Sequence, residues 1–298
     1  MVSSEALTRS SEKTAALMQR APNEKNLAVQ IFGGVEKTMA DAAVLVLKSV
    51  NPQLIDINCG CPVPKIVKTG AGSSLTRDPE RLYKIVKAVT DAVENSGSDV
   101  PVTVKIRSGW DSSHLTWKEA AEAAVKAGAK AVTLHARTKV QGYEGKSDWN
   151  ILKELADFLK KDNIPVFGSG DVFSPEDAER MFRTTNCSGV MFARGAMGNP
   201  FIFGQTRQLL QCGHYDQVPL SVRLESGMKE LKMLSEIAGE ANACREMRKR
   251  FCAYTKGFAG VSMLRKMVVS AESIKDYEQI VILANKVEQN GVESLREG

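Results

Sequence analysis

Short β-branched runs alternating with longer amphipathic stretches constrain this chain more than any other feature of it. Residues 27–32 (LAVQIF), 54–58 (LIDIN), 102–107 (VTVKIR), 131–135 (AVTLH), 164–168 (IPVFG) and 189–193 (GVMFA) read as strands. Between them, 36–49, 79–94, 117–127, 149–160 and 175–183 carry helical periodicity. Such alternation predicts a parallel sheet with crossover helices, α/β in class. Spacing alone leaves a closed (β/α)8 barrel and an open doubly wound sheet both open. In either, functional residues belong just beyond the C-terminal ends of the strands. Those positions read Gln30 to Gly33, Asn58 to Pro62, Lys105 to Arg107, His135 to Arg137, Gly168 to Asp171 and Ala193 to Gly195. Their load of polar, cationic and glycine residues points to an enzyme.

After about residue 205 the alternation stops, and 219–237, 239–256, 260–272 and 275–290 look helical throughout. The expected organisation is a catalytic α/β domain over 1–212 and a small α-helical domain over 213–298, divided at the Cys212–Pro219 loop. At 43% hydrophobic and 25% charged residues the composition is ordinary for a globular chain. No apolar run approaches the ~18 residues of a membrane span, and the opening MVSSEALTRSSEK lacks signal-peptide architecture. A cytoplasmic protein with no membrane association is the expectation, and nothing in the sequence calls for an obligate protein partner. The six cysteines follow no disulfide spacing and read as reduced thiols. Cys59 and Cys61 form C-x-C without a second pair or nearby histidine, so no metal site is expected.

Several constellations carry chemistry. Asn58-Cys59-Gly60-Cys61-Pro62 follows a strand, where a cysteine can be a nucleophile or a proton donor, or a small residue that packs. Gly168-Ser169-Gly170-Asp171 and Ala193-Arg194-Gly195 follow two successive late strands. Glycines there let backbone N–H groups approach an anion, Arg194 adds a cationic fork, and late barrel strands frequently build phosphate sites. Lys105, flanked by Val104 and Ile106, faces inward and needs a counter-charge, from an electron-rich ligand edge or a structural salt bridge. His135 can bond a cofactor or a backbone carbonyl. From Arg245 to Lys266 seven Lys or Arg face one acid, Glu246, with Phe251, Tyr254 and Phe258 interleaved. Such a run is either a solvated face or a footprint for a phosphate backbone, and the overall charge of +5 permits the second.

Together these segments resemble the tRNA-dihydrouridine synthase family, in particular its bacterial B-type branch. The match rests on DINCGCPVPKIVKTGAGSSL (56–75), VTVKIRSGW (102–110), LHARTKVQGYEG (134–145), GSGDVFSPEDA (168–178) and GVMFARGAMGNPFIF (189–203), and spans essentially the whole chain. The resemblance implies a TIM-type (β/α)8 barrel with a C-terminal helical domain that holds tRNA by shape. It implies FMN as cofactor and NADPH as reductant. Cys61 matches the family's proton donor, and Cys59 a variable position. Gln30, Lys105 and His135 match flavin-contacting residues; Ser169, Gly170, Asp171, Ala193 and Arg194 match the flavin phosphate site; Asn58, Arg107 and Tyr143 match residues that hold the target uracil.

The implied reaction passes a hydride from reduced flavin to carbon 6 of a uracil extruded from the tRNA, and a proton from Cys61 to carbon 5. An ordinary thiol is mostly protonated at neutral pH and can serve as that acid. The family normally opens with a strand and an A-P-M-x-G-like flavin-binding turn. Here Met1 stands at the equivalent of the end of the second strand, so the first β/α unit is expected to be missing, and Ala193 replaces a common glycine. Two alternatives accompany this reading. One is an FMN-dependent barrel oxidoreductase acting on a free pyrimidine-like small molecule; the other is an inactive, truncated RNA-binding fragment.

Overall fold

The computed structural model describes residues 1–21, 23–257 and 261–294. Eight strands form one sheet: β1 (Val2–Ser3), β2 (Ala28–Phe32), β3 (Leu54–Asn58), β4 (Val102–Asp111), β5 (His114–Leu115), β6 (Val132–Thr138), β7 (Val166–Ser169) and β8 (Gly189–Met191). The helices before β4 are α1 (Ser4–Thr8), α2 (Glu12–Ala16), α3 (Glu36–Val50), α4 (Pro64–Val67), α5 (Ser73–Arg77) and α6 (Pro79–Asn95). Those that follow are α7 (Trp117–Lys126), α8 (Trp149–Leu159), α9 (Pro175–Thr185), α10 (Ile202–Cys212), α11 (Leu220–Ala238), α12 (Glu240–Tyr254), α13 (Val261–Ser270) and α14 (Ile274–Ser294).

Seven strands pair in parallel in the order β1-β2-β3-β4-β6-β7-β8, and β5 turns back antiparallel on β4. This is the wall of a TIM-type α/β barrel. Among the described residues no strand pairs with the free side of β1 or of β8, so the ladder runs from one to the other without closing. The two-residue β1 lies in register with Ile31 and Phe32.

Two compact units divide the chain: residues 1–172 with 180–192, and residues 173–179 with 193–298. The sequence places its boundary later, at 212. Residues from 193 onward group with the helices because Gly198 lies against the backbone of α12, so close that an added Cβ would stand 2.5 Å from the Arg250 carbonyl oxygen.

Alternation along the strands sorts their chemistry. Ile55, Ile57, Val104, Ile106, Val132 and Leu134 are fully buried, alternating with Asp56, Asn58, Thr103, Lys105, Arg107, Thr133 and His135, which therefore share the opposite face. Most parallel sheets bury apolar side chains on both faces; here one face is polar and belongs to the site. The other is sealed by amphipathic helices. On α6, Leu82, Ile85, Val86, Val89 and Val93 are buried at helical spacing, each contributing about 1.5–3 kcal/mol. Asp78 caps that helix by accepting from the Arg81 backbone N–H, with Pro79 at its first position. Asn51 ends α3 in the left-handed conformation, φ 43°.

In the second unit Leu224, Leu231, Met247, Phe251, Leu264, Val268, Tyr277, Ile280 and Ala284 form a separate core. The Tyr277 ring meets Phe251 edge-on at 4.9 Å. Among the described residues no helix is long and apolar enough to cross a membrane.

Candidate functional site

Strand register stacks the polar side chains in tiers. Gln30 lies opposite Asp56 and Asp56 opposite Thr103. One step nearer the strand ends, Asn58 lies opposite Lys105 and Lys105 opposite Thr133. The third tier is Arg107, His135 and Ser169.

The deepest tier is a closed hydrogen-bond set. Asp56 accepts from Gln30 Nε2 at 2.6 Å and from the Thr103 hydroxyl at 2.6 Å. Burial pushes the Asp56 carboxyl up, against the opposing pull of those two bonds and of the Lys105 charge. Gln30 Oε1 in turn accepts from Asn58 Nδ2 at 2.8 Å. Asn58 Oδ1 accepts from the backbone N–H groups of Gly60 and Cys61 at 3.2 and 2.9 Å. A chain of side-chain contacts thus runs from the barrel interior to the loop carrying Cys61.

The two cysteines differ. Cys59 is fully buried and its backbone N–H donates to the Lys105 carbonyl at 2.8 Å; burial, with Asp56 nearby, pushes its thiol far up. Cys61 keeps partial exposure and its carbonyl accepts from the Ser73 N–H at 3.0 Å. Of the two, Cys61 alone is open to a ligand. All six cysteines are free thiols.

Lys105 is half-buried and, among the described residues, its ammonium forms no hydrogen bond and no ion pair within 4 Å. Burial pulls it down to about 8, with Asp56 and Cys61 opposing the shift and Arg107 adding to it. His135, nearly buried, is held down to about 3 by burial and by the cations Lys105, Arg107 and Arg137, with Asp171 opposing. Its imidazole is therefore neutral at physiological pH.

Two guanidinium groups organise the loops. Arg107, 2% exposed and held below its ordinary range mainly by burial, donates to the Gly60 carbonyl at 2.9 Å and to those of Thr138 and Gly142 at 2.7 and 3.0 Å. The exposed Tyr143 ring lies 5.9 Å from it and 6.4 Å from His135. Arg137, 1% exposed, makes a two-pronged pair with Asp171, both bonds 2.9 Å, and donates to the carbonyls of Glu144 and Gly145. Asp171 also accepts from the Ser147 N–H at 2.8 Å. Gly170, at φ 108°, lies so close to His135 that an added Cβ would stand 2.7 Å from the imidazole Cδ2. Ser147 Oγ is shielded from solvent with no hydrogen-bond partner among the described residues.

Within the barrel unit the structure therefore brings together Gln30, Asn58, Cys61, Lys105, Arg107, His135, Tyr143, Ser169, Gly170 and Asp171. Ala193 and Arg194 belong to the helical unit, where the Arg194 guanidinium lies 5.1 Å from the Phe173 ring centroid. Asp171 holds Arg137, and Arg107 spans two loops through their carbonyls. Asp56, Thr103 and Arg137 went unassigned in the sequence, although their alternation with apolar residues was there to read.

The basic run of the helical unit needs correction. Phe251 and Tyr254 are buried in the helical core, 0% and 3% exposed, and cannot stack on bases; Phe258 lies outside the described residues. Arg250 pairs with Glu230 at 3.0 Å, Arg248 donates to the Ala271 carbonyl at 3.0 Å, and Tyr254 donates to Glu230 at 2.9 Å. Part of the run therefore fastens helices together. Among the described residues Lys249 and Lys266 have no such partner.

A polar, cationic set of side chains at the strand ends of a TIM-type α/β barrel, with a partly exposed cysteine at its edge, fits a barrel enzyme. The chain belongs to the dihydrouridine synthase family, whose model (Dihydrouridine synthase, Dus) matches residues 1–290. It is 52% identical over 282 residues to a probable tRNA-dihydrouridine synthase of Treponema pallidum strain Nichols, covering 94% of this chain and 83% of that one. Probable tRNA-dihydrouridine synthase 1 of Synechocystis is 36% identical over 89% of this chain and 72% of its own. The tRNA-dihydrouridine synthase B of Pseudomonas putida is 34% identical over 84% and 72%.

Proposed function

We propose that this chain reduces a uridine of tRNA to 5,6-dihydrouridine with FMN as cofactor and NADPH as reductant. The observation that carries the reading is the Lys105 ammonium, half-buried and without an ion pair among the described residues, in the tier below Arg107 and His135 and electrostatically coupled to Cys61. A cation so placed fits the electron-rich pyrimidine edge of a flavin. The same fit is supported by the cradle at Gly170, which any larger residue would fill, and by the unpartnered Ser147 hydroxyl.

Bound flavin, once reduced, supplies the hydride for carbon 6 of the uracil. The chain's own residues do the rest. Lys105, Gln30 and the neutral His135 hold the ring, and Ser169, Gly170 and Asp171 serve its phosphate. Asn58, Arg107 and Tyr143 border the place of the base. Asn58 and Arg107 act through the backbone, fixing the Cys61 loop from its N–H groups and from the Gly60 carbonyl. Cys61 delivers the proton to carbon 5.

The Cys61→Ala variant tests this directly. Flavin absorbance should be retained and dihydrouridine formation lost, by roughly the 100- to 10,000-fold typical of a removed general acid. Unchanged turnover would remove Cys61 from the chemistry. Failure of the unmodified chain to bind added FMN would overturn the cofactor assignment.

A further inference from the structure

Beyond the site, β4 continues past the ends of its neighbours to Asp111 and folds back on β5. Gly109 permits this hairpin, since an added Cβ would stand 2.1 Å from the His114 carbonyl oxygen. The segment after β6 runs alongside it: the N–H groups of Lys139 and Val140 donate to the carbonyls of Gly109 and Trp110, both at 2.9 Å. Trp110 is thereby fixed on the rim, three residues and about 10 Å along the strand from Arg107.

Two cations lie over the Trp110 indole, the Arg77 guanidinium at 4.8 Å and the Lys139 ammonium at 4.5 Å from its centroid. Neither has a carboxylate within 4 Å among the described residues. Nearby acids are engaged elsewhere: Asp78 caps α6, and Asp111 accepts from the Ser113 N–H and bonds His114 Nδ1 at 2.7 Å. Arg77 closes α5, whose first residue, Ser73, bonds the Cys61 carbonyl. Lys139 opens the loop that carries Tyr143. The pair is thus tied through backbone to both sides of the site. Like charges over one ring repel each other and gain when an anion is shared between them.

We propose that Arg77 and Lys139, seated on Trp110, clamp a backbone phosphate of the RNA next to the target uridine. The clamp rests on the reading of tRNA as substrate and lies wholly within the barrel unit. A paired cation site recognises a phosphodiester, and so holds the strand beside an extruded nucleotide without reading sequence.

The test is tRNA binding by the full chain across a series of potassium chloride concentrations, comparing unmodified protein with the Arg77→Gln/Lys139→Gln double variant. Removal of one cation–phosphate interaction should flatten the slope of log affinity against log salt by roughly 0.7–0.9. The double variant should also raise KM for tRNA about tenfold at low salt, with kcat, flavin affinity and thermal midpoint unchanged. Lys84→Gln/Lys87→Gln, on the ion-paired face of α6, should keep the original slope. Lys139→Gln alone, expected to lose part of the slope, serves if the double variant is destabilised. An unchanged slope in a chain that binds tRNA overturns the clamp and leaves the proposed activity standing. No tRNA binding by the unmodified chain overturns both.

Discussion

Replacing Arg137 with Met removes a buried guanidinium while roughly keeping its volume. Its Asp171 partner is left without the two-pronged bond, and the carbonyls of Glu144 and Gly145 lose a charged donor. Breaking a fully buried pair from one side costs about 3–5 kcal/mol. Here the Arg137 side chain is 2% exposed but that of Asp171 is 24% exposed, and Asp171 keeps the Ser147 N–H. Partial hydration of the orphaned carboxylate lowers the expected loss to about 2–3 kcal/mol. For a chain of this size that corresponds to a fall in Tm of roughly 5–10 °C. Urea unfolding followed by far-UV circular dichroism should show a lower midpoint at unchanged m. If the orphaned carboxylate is the cause, Arg137→Met/Asp171→Asn should regain about 1 kcal/mol or more relative to Arg137→Met. A single variant within about 0.5 kcal/mol of the unmodified protein, or strictly additive single variants, would refute this account.

Gly170→Ala should destabilise by about 1–3 kcal/mol, because φ 108° is unfavourable for any side chain and the new Cβ meets His135; FMN titration should show weaker binding, and unaltered affinity would argue against the cradle. His135 is held down to about 3 from its ordinary 6.5. The unfolded chain therefore binds a proton that the folded chain refuses, and stability falls as pH drops from about 6.5 towards 3. His135→Gln should flatten that dependence by up to one proton, and identical pH profiles of the urea midpoint would contradict the assignment. Lys105 loses its charge as pH rises through about 8, so FMN affinity should decline over that range. Lys105→Met should bind FMN roughly 10- to 100-fold more weakly at pH 7, and equal affinity would exclude Lys105 as a flavin contact.

Much of the fold was legible because its period was unambiguous. The six expected strands all form, and helices such as Glu36–Val50 and Pro79–Asn95 end within a residue of expectation. The short elements were not legible. Val2–Ser3 and His114–Leu115 have two residues each, too few to show a period, and their pairing depends on neighbours distant in sequence. The sequence places the end of β4 at Arg107, whereas the hairpin bonds carry it to Asp111. Site residues at strand ends were found by position. Arg137 was passed over because its function is set by a loop and a turn that sequence cannot fold towards it. The aromatics of the basic run misled for a related reason: Phe251 and Tyr254 sit three apart on one helix, and composition does not say which side of a helix faces the core.

The loop after β6 is held almost entirely by its own main chain. Arg107 grips the carbonyls of Thr138 and Gly142, and Arg137 those of Glu144 and Gly145. Loop side chains add the mutual bonds of Thr138 and Gln141, the Tyr143 ring beside Arg107 and His135, and Lys139 over Trp110, with glycines 142 and 145 in the left-handed region. Positions 140 and 144, whose main chain alone is gripped, can therefore change identity without loosening the loop. Descendants of such a chain could rewrite what the rim touches, one residue at a time, while the loop stays where two buried arginines put it.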